Sequence, residues 1–214
     1  MGRGKEQGTA DDSRSKRQQI LDAAYVIFSR NGYYRATVDE IIALAETGKG
    51  TVYNYFVNKE QLFYTLIKER SAGFEAELEK IAESDAMPLD RVQTMVRLFL
   101  EFYTTNAELW RVLMHEMRGL NCGEGHGGLT KSQSTKYQER FKHTIGLLEK
   151  VLQDGIRQKS FRPCEVNKAA LGLFSVIIMM VFQGFVEKNP ESIEKVTRSI
   201  SDIFLYGMVR KDGE

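Results

Sequence analysis

The sequence predicts an all-α protein, with an N-terminal three-helix helix-turn-helix domain, a C-terminal helical domain and about nine helices in total. Three observations lead to this prediction. Apolar residues recur at helical spacing along the chain, and alternating strand patterns are absent. Only three prolines occur in 214 residues, which favours long uninterrupted helices. A content of 42% hydrophobic and 28% charged residues is typical of soluble globular proteins, and it excludes collagen-like, disordered and disulfide-stapled classes.

We divide the chain into a mobile tail at 1–12, the helix-turn-helix domain at 13–58 and the C-terminal domain at 59–214. Residues 1–16 contain no apolar stretch, which argues against a signal peptide. The two cysteines, Cys122 and Cys164, are too few for a disulfide framework and predict reduced thiols in the cytoplasm. The formal net charge of +1 argues against a strong polyanion binder but leaves a local basic surface open.

The N-terminal third predicts three helices. The first spans 13–31 and ends at Gly32, and its apolar face consists of Ile20, Leu21, Ala24 and Phe28. Thr37 is expected to cap a short second helix, because Glu40 follows three residues later at the capping-box spacing. The apolar residues of this second helix are Ile41, Ile42, Leu44 and Ala45. A third short helix is predicted from about 49 to 56.

Six further helices follow. The fourth begins at Asn58 and carries the apolar stripe Leu62, Phe63, Leu66, Ile67, Phe74, Leu78 and Ile81. Pro88 suits the first turn of the fifth, which runs to about 105, and the sixth spans 107–118. A loop with five glycines at 119–131 precedes the seventh helix at 132–159. The eighth spans 165–188, and the ninth begins at Pro190 with one face formed by Ile193, Val196, Ile200, Ile203, Phe204 and Gly207.

The eighth helix contains an uncharged stretch, 169–186, which is 18 residues long and therefore at the short limit of a membrane span. A helix that is apolar all round can instead be buried between a core and a partner. We favour the second interpretation because every other predicted helix is amphipathic.

The second and third helices, joined by a tight turn with glycine, form a helix-turn-helix, in which the second helix lies in the DNA major groove. Lys49 can neutralise a phosphate, and Thr37 and Lys59 stand at helix starts, which favour anions. The predicted DNA-binding residues are Thr37, Thr47, Gly48, Lys49, Gly50, Thr51, Tyr53, Asn54, Tyr55 and Lys59. The alternative is that this is an ordinary helical hairpin with tyrosines in its core.

The segment from Arg17 to Leu66 resembles the DNA-binding domain of the tetracycline-repressor (TetR) family. The matching marks are Ile20-Leu21, Ala23-Ala24, Phe28, Gly32-Tyr33, Thr37-Val38, Glu40-Ile41, Gly50-Thr51-Val52-Tyr53, Tyr55-Phe56, Asn58-Lys59-Glu60 and Leu62. The rest of the chain matches in its helical layout and in the break at Phe161-Arg162-Pro163.

This resemblance implies a homodimeric regulator, most simply a repressor, that binds a palindromic double-stranded DNA operator and a small effector. It also implies dimerisation through the last two helices, at about 165–210. The sequence departs from the family pattern at Glu46, where glycine is frequent, at Gly48, where serine is frequent, and at Ile42, which replaces alanine. Either Gly48 or Glu46 could therefore supply the special backbone angle of the turn.

Large, soft side chains concentrate between residues 88 and 180 and predict an apolar effector pocket. The candidate lining residues are Phe99, Phe102, Tyr103, Trp110, Met114, Met117, Tyr137, Phe141, Ile145, Phe174 and Ile178, and Leu148 and Met179 extend the same stripes. Glu101, Glu116 and His115 are polar candidates. We expect an apolar or aromatic effector, with a cation or an acyl chain as further options. The same stripes also suit an ordinary core.

Other classes of function find less support. Cys122 and His126, with His115, provide too few ligands for a metal site, and no cofactor is predicted. Residues 125–132 lack the glycine that must precede the lysine of a phosphate-binding loop. The three histidines match no catalytic spacing, so we expect no enzyme. The remaining alternative to a regulator is a helical small-molecule-binding protein without a role at DNA.

Overall fold

A computed structural model describes residues 7–119, 131–186 and 191–207. Over those residues the protein has nine α-helices and no strand, which confirms the predicted all-α class. The helices are α1 (Gln7–Arg35), α2 (Val38–Leu44), α3 (Lys49–Tyr55), α4 (Lys59–Glu83), α5 (Pro88–Thr105), α6 (Ala107–Gly119), α7 (Lys131–Arg157), α8 (Val166–Val186) and α9 (Ile193–Ser201). A π-helical turn, Asp202–Tyr206, follows α9.

The chain forms two compact units. The first combines residues up to Ser71 with the segment Glu108–Lys136, and the second combines Ala72–Ala107 with the residues from Tyr137 onward. Helices α4 and α7 each contribute residues to both units.

The first unit is built around the apolar face predicted for α1. Its members Ile20, Leu21, Ala24 and Phe28 are all buried, as expected. Ile41 from α2 and Val52 from α3 join them, and α1 packs against both short helices. Of the apolar residues named for the second helix, Ile41 and Ala45 are buried and Leu44 is exposed. A helix of only seven residues turns one narrow stripe inward, so its adjacent apolar positions cannot all reach the core.

Helix α1 begins earlier than the sequence predicted. Residues 7–12 are helical, whereas they were expected to belong to a mobile tail. Extending a helix that already exists adds one hydrogen bond per residue, so a polar segment without prolines can continue it. At the other end, the helical backbone breaks at Gly32, with φ of 74°, as predicted, and a further turn reaches Arg35.

The second unit has its core along α5. Val92, Met95, Val96 and Phe99 are fully buried, and α5 packs against α8 and α9. Pro88 occupies the first turn of α5, as predicted. The second half of α4 is joined to α7 by polar contacts, including an ion pair between Glu75 and Arg140 and a contact of 3.0 Å between Oε1 of Glu79 and Nε2 of His143.

Helix α8 has two apolar faces. One face is buried and consists of Ala170, Leu173, Ile177 and Val181. The other is exposed and consists of Leu171, Val176, Met179 and Phe182. Among the described helices, only the stretch Val166–Gly184 is long and apolar enough to cross a membrane. The buried face confirms the part of the sequence interpretation in which α8 packs against a core.

The C-terminal face predicted for the ninth helix is only partly present. Ile200 is buried, whereas Ile203 is exposed, and the backbone changes from α-helical to π-helical between them, at Asp202. The predicted loop at 119–131, apart from its end residues, and the predicted helix start at Pro190 lie outside the described residues.

Candidate nucleic-acid interface and aromatic core

The turn between α2 and α3 takes its special backbone angle from Glu46 and not from Gly48. Glu46 has φ of 48°, whereas Gly48 has φ of −83° and ψ of 151°. The amide of Glu46 donates to the carbonyl of Ala43, and the amide of Thr47 donates to that of Ile42, at 3.3 and 3.2 Å. This pair of bonds is a Schellman motif, in which glycine is usual at the position of Glu46. Glu46 therefore adopts the left-handed conformation without the steric freedom of glycine.

Helix α2 begins with the predicted capping box. The amide of Glu40 donates to Oγ1 of Thr37 at 3.2 Å, and the amide of Thr37 donates to Oε2 of Glu40 at 2.8 Å. The Thr37 hydroxyl also donates to the same carboxylate oxygen, at 2.8 Å. These bonds from Thr37, joined by one from Asn31, lower the pKa of Glu40 below its ordinary value. The hydroxyl predicted to meet a phosphate is thus engaged by Glu40 in this structure.

Helix α3 is anchored on one side and exposed on the other. Val52 is buried in the first unit, as is Phe56, which lies four positions after Val52 and directly follows α3. The exposed side carries Tyr53, which is 43% exposed, and Asn54. The other predicted interface residues on or before α3 are exposed or half-buried; they are Thr47, Gly48, Lys49, Gly50, Thr51 and Tyr55. The first turn of α3 has open space beside Gly50, where an added Cβ would meet nothing within 4 Å.

The charge at the start of α3 is partly balanced by an acidic neighbour. Nζ of Lys49 lies 3.3 Å from Oδ1 of Asp39 on α2, and both side chains are largely exposed. Asp39 was not among the predicted interface residues, because it stands ten positions from Lys49 and no sequence spacing links the two helices. An exposed pair of this kind holds Lys49 only weakly, so the ammonium can exchange the carboxylate for a phosphate.

Lys59, at the first position of α4, faces the end of α1. Its ammonium donates to the carbonyl oxygens of Tyr33, Tyr34 and Ala36, at 3.1, 3.3 and 3.1 Å. It also lies 4.7 Å from the centroid of the Tyr33 ring. Burial, reinforced by the carboxylate of Glu60, raises the pKa of the Tyr33 hydroxyl above its ordinary range. The structure therefore places Lys59 within the fold of the first unit.

Aromatic rings from four helices meet in the second unit. The rings of Phe99 and Tyr103 on α5 each lie 5.8 Å from that of Phe174 on α8, and Phe141 on α7 lies 5.2 Å from Phe174. Phe102 stacks at 4.1 Å on Phe74 of α4. Burial raises the pKa of Tyr103 above its ordinary range, and Glu75 adds to the effect. We call Phe74, Phe99, Phe102, Tyr103, Phe141 and Phe174 the aromatic cluster.

Sequence reasoning found five members of the aromatic cluster and missed Phe74. Phe74 was assigned to the core stripe of α4, and only the folded chain shows that this part of α4 meets α5. Ile145 and Tyr137 are buried in the same unit, and Ile178 is half-buried. Trp110 and Met114 belong to the first unit instead. The side chain of Met117 and the residues Cys122 and His126 lie outside the described parts of the chain.

Among the residues that the structure describes, no group of three or more His, Cys, Asp or Glu side chains is arranged to hold a metal ion.

Two family models match the chain. Residues 20–65 match the model of bacterial regulatory proteins of the tetR family, and residues 85–208 match a tetracyclin repressor-like C-terminal domain. The second match alone covers more than half of the chain.

Known proteins resemble the chain over nearly its whole length. It is 24% identical over 199 residues to the fatty acid metabolism regulator protein of Bacillus subtilis, covering 92% of this chain and 98% of that protein. The structure of the transcriptional regulator FadR from Bacillus subtilis in complex with stearoyl-CoA has a TM-score of 0.75 and 22% identity, covering 90% of this chain and 99% of that one.

The TetR family regulator PfmR from Thermus thermophilus has a similar fold, with a TM-score of 0.73 and 21% identity over 89% of this chain and 99% of that one. The two family matches account for both the helix-turn-helix and the C-terminal helices. The chain therefore belongs to the TetR family and is a ligand-responsive, DNA-binding transcriptional regulator.

Proposed function

We propose that the protein is a cytoplasmic repressor that binds a palindromic operator as a homodimer and is released from it by a ligand with a long acyl chain. Residues 13–58 read the DNA in this proposal, and residues 59–214 bind the effector and form the dimer. The observation that carries the proposal is the arrangement of α3, whose buried Val52 fixes the helix while Tyr53 and Asn54 stay exposed. A recognition helix needs this arrangement to reach base edges from a rigid support.

The proposed DNA contacts fall into two groups. Lys49 and Thr51 meet phosphates around the start of α3, and the Thr37 hydroxyl exchanges the exposed Glu40 carboxylate for a phosphate at the start of α2, where the helix dipole favours anions. Tyr53 and Asn54 reach base edges or further phosphates. The proposed DNA interface also includes Thr47, Gly48, Gly50 and Tyr55. Since an ammonium that meets a phosphate releases counterions, the affinity falls steeply with salt.

The exposed face of α8 supports the proposed dimer. Leu171, Val176, Met179 and Phe182 form an apolar strip, and Met179 is 65% exposed. A contiguous apolar strip on a protein that works in water calls for a partner, and a second copy of the chain satisfies it through a two-fold axis. Ile203 and Tyr206, beyond α9, are also exposed and extend the proposed interface toward about 165–210. Two recognition helices related by that axis would read two half-sites one DNA turn apart.

The aromatic cluster supports the proposed effector class. An apolar wall of rings suits a hydrocarbon chain, which forms no hydrogen bonds and gains by leaving water. The structurally similar FadR was crystallised in complex with stearoyl-CoA. The proposed lining residues all belong to the second unit and are Phe99, Phe102, Tyr103, Tyr137, Phe141, Ile145, Phe174 and Ile178. Effector release follows if the acyl ligand binds better to the dimer state that does not fit the operator.

The first experiment is the selection of bound fragments from random genomic DNA, followed by gel shift at two salt concentrations with competitor DNA. We expect a discrete complex that resists competitor, and a footprint with two-fold symmetry. Saturated acyl-CoA thioesters of increasing chain length are then added to that complex, with free coenzyme A as control. Release by long chains and not by free coenzyme A supports the proposal. Release only by aromatic compounds would show that the effector belongs to another class, without contradicting the proposed repressor function.

A matched pair of variants tests the effector site. Phe141→Ala removes a partly exposed ring of the aromatic cluster, and Lys142→Ala changes its exposed neighbour on the same helix. We expect Phe141→Ala to raise the acyl-CoA concentration for half-release several-fold without changing the operator affinity, and Lys142→Ala to change neither.

Sedimentation without detergent tests the dimer, because a membrane-inserted α8 would give no soluble dimer.

A further inference from the structure

Lys59 stands where a cation could reach the DNA backbone, yet its surroundings are those of a structural residue. An ammonium has three donors, and three carbonyl oxygens of residues 33, 34 and 36 lie within 3.3 Å of this one. The carbonyls at the end of a helix lack partners within the helix and carry partial negative charge. Lys59 therefore satisfies the end of α1 from the first residue of α4.

The same turn of α4 holds Tyr33 at two further points. The Lys59 ammonium lies over the Tyr33 ring, and the centroid of the Phe63 ring lies 4.9 Å from that of the Tyr33 ring. Phe28 of α1 completes the contact, at 4.9 Å from Phe63. The start of α4 is thus fixed against the end of α1 through both backbone and side chain.

We infer that Lys59 is a positioning residue, which sets the direction of α4 relative to the helix-turn-helix and does not bind a phosphate. To meet a phosphate, the ammonium would have to leave three carbonyl acceptors, whereas the Lys49 ammonium leaves a single exposed carboxylate. The inference rests on the proposed function, since α4 is the helix that continues from the DNA-binding residues into the second unit.

The test compares Lys59→Met with Lys49→Met on the operator duplex that the wild-type protein selects from random genomic fragments. Methionine keeps most of the apolar stem and removes the ammonium. Affinity for the operator and for a scrambled duplex is measured over a range of salt. Each lost phosphate contact reduces the slope of log K against log salt by about 0.9. A cation that positions the fold leaves the slope unchanged.

For Lys59→Met we expect about a tenfold loss of operator affinity, with the salt slope and the affinity for scrambled DNA unchanged. For Lys49→Met we expect a smaller slope and weaker binding to both duplexes. Lys59→Arg separates the two roles further, because a planar guanidinium keeps the charge but does not fit three converging carbonyls in the same way. We expect it to resemble Lys59→Met.

Two results would overturn the inference. A smaller salt slope in Lys59→Met, restored in Lys59→Arg, would identify Lys59 as a phosphate ligand. An unchanged operator affinity with a lower Tm would identify a residue that only stabilises the fold. Failure of the proposed function would be recognised by a different result, because the wild-type protein would then select no operator. That result would also overturn the inference about Lys59.

Discussion

The Arg91 guanidinium on α5 donates to Oδ2 of Asp154 on α7 at 3.0 Å, although the two residues are 63 positions apart. The same guanidinium donates to the carbonyl oxygens of Ile81 and Ala82 at the end of α4, the first of them at 3.1 Å. Arg91 is only 4% exposed. One buried cation thus joins three helices of the second unit and satisfies the last carbonyls of α4.

Replacing Arg91 by methionine should destabilise the protein by about 3–5 kcal/mol, because it removes the buried partner of the mostly buried Asp154 carboxylate and one donor to each of the two carbonyls at the end of α4. Urea unfolding followed by circular dichroism measures the change. Arg157→Ala is the matched control, since Arg157 pairs with the same Asp154 but is exposed, and we expect a change within about 0.5 kcal/mol. A loss below about 1 kcal/mol in Arg91→Met would contradict the prediction.

Glu46→Gly should stabilise the first unit. A residue with a Cβ in the left-handed region costs roughly 1–2 kcal/mol, and the greater freedom of glycine in the unfolded chain offsets part of the gain. We therefore expect a net stabilisation of about 0.5–1 kcal/mol, seen as a higher Tm. Gly48→Ala serves as the control: φ of −83° suits any residue, and the added Cβ would meet only Oγ1 of Thr51, at 3.7 Å. An unchanged or lower Tm for Glu46→Gly would show that the left-handed conformation of Glu46 does not destabilise the folded protein.

Two glycines of α7 should respond oppositely to alanine. A Cβ on Gly155 would lie 2.1 Å from Cδ2 of the Phe161 ring, so Gly155→Ala has to displace that ring and should destabilise by about 1–3 kcal/mol. A Cβ on Gly146 would meet nothing within 4 Å, and Gly146→Ala should stabilise the helix by roughly 0.5–1 kcal/mol. Thermal unfolding of both variants provides the test, and equal shifts of the same sign would rule out the steric explanation.

The capping box makes stability depend on pH. The pKa of Glu40 is lowered in the folded protein, so its contribution is present above the ordinary value of 4.5 and is lost as the pH falls through the lower folded pKa. The glutamine of Glu40→Gln cannot titrate. We therefore expect the Tm of this variant to fall less than that of the wild-type protein when the pH is lowered from 5 to about 3. Parallel Tm curves for the two proteins would contradict the prediction.

Much of the fold and the position of the interface follow from the sequence. Helical spacing predicted the helices, Pro88 and Gly32 marked ends that the structure confirms, and Thr37 with Glu40 predicted the capping box that forms. These features involve residues within about four positions of one another, and the covalent chain alone sets those distances. The family marks between Ile20 and Leu62 identified the helix-turn-helix for the same reason, since they lie along one continuous segment.

The tertiary structure decided the features that depend on which helices meet. The sequence offered both Glu46 and Gly48 for the turn, and the backbone uses Glu46. No sequence spacing indicated the contacts of Lys59, whose ammonium lies beside carbonyls 23 to 26 positions away in the folded chain. Phe74 joins the aromatic cluster only because α4 packs against α5. Such contacts join residues that are far apart in the chain. They form when the burial of apolar faces offsets the loss of chain entropy, and the local spacing of residues does not determine that balance.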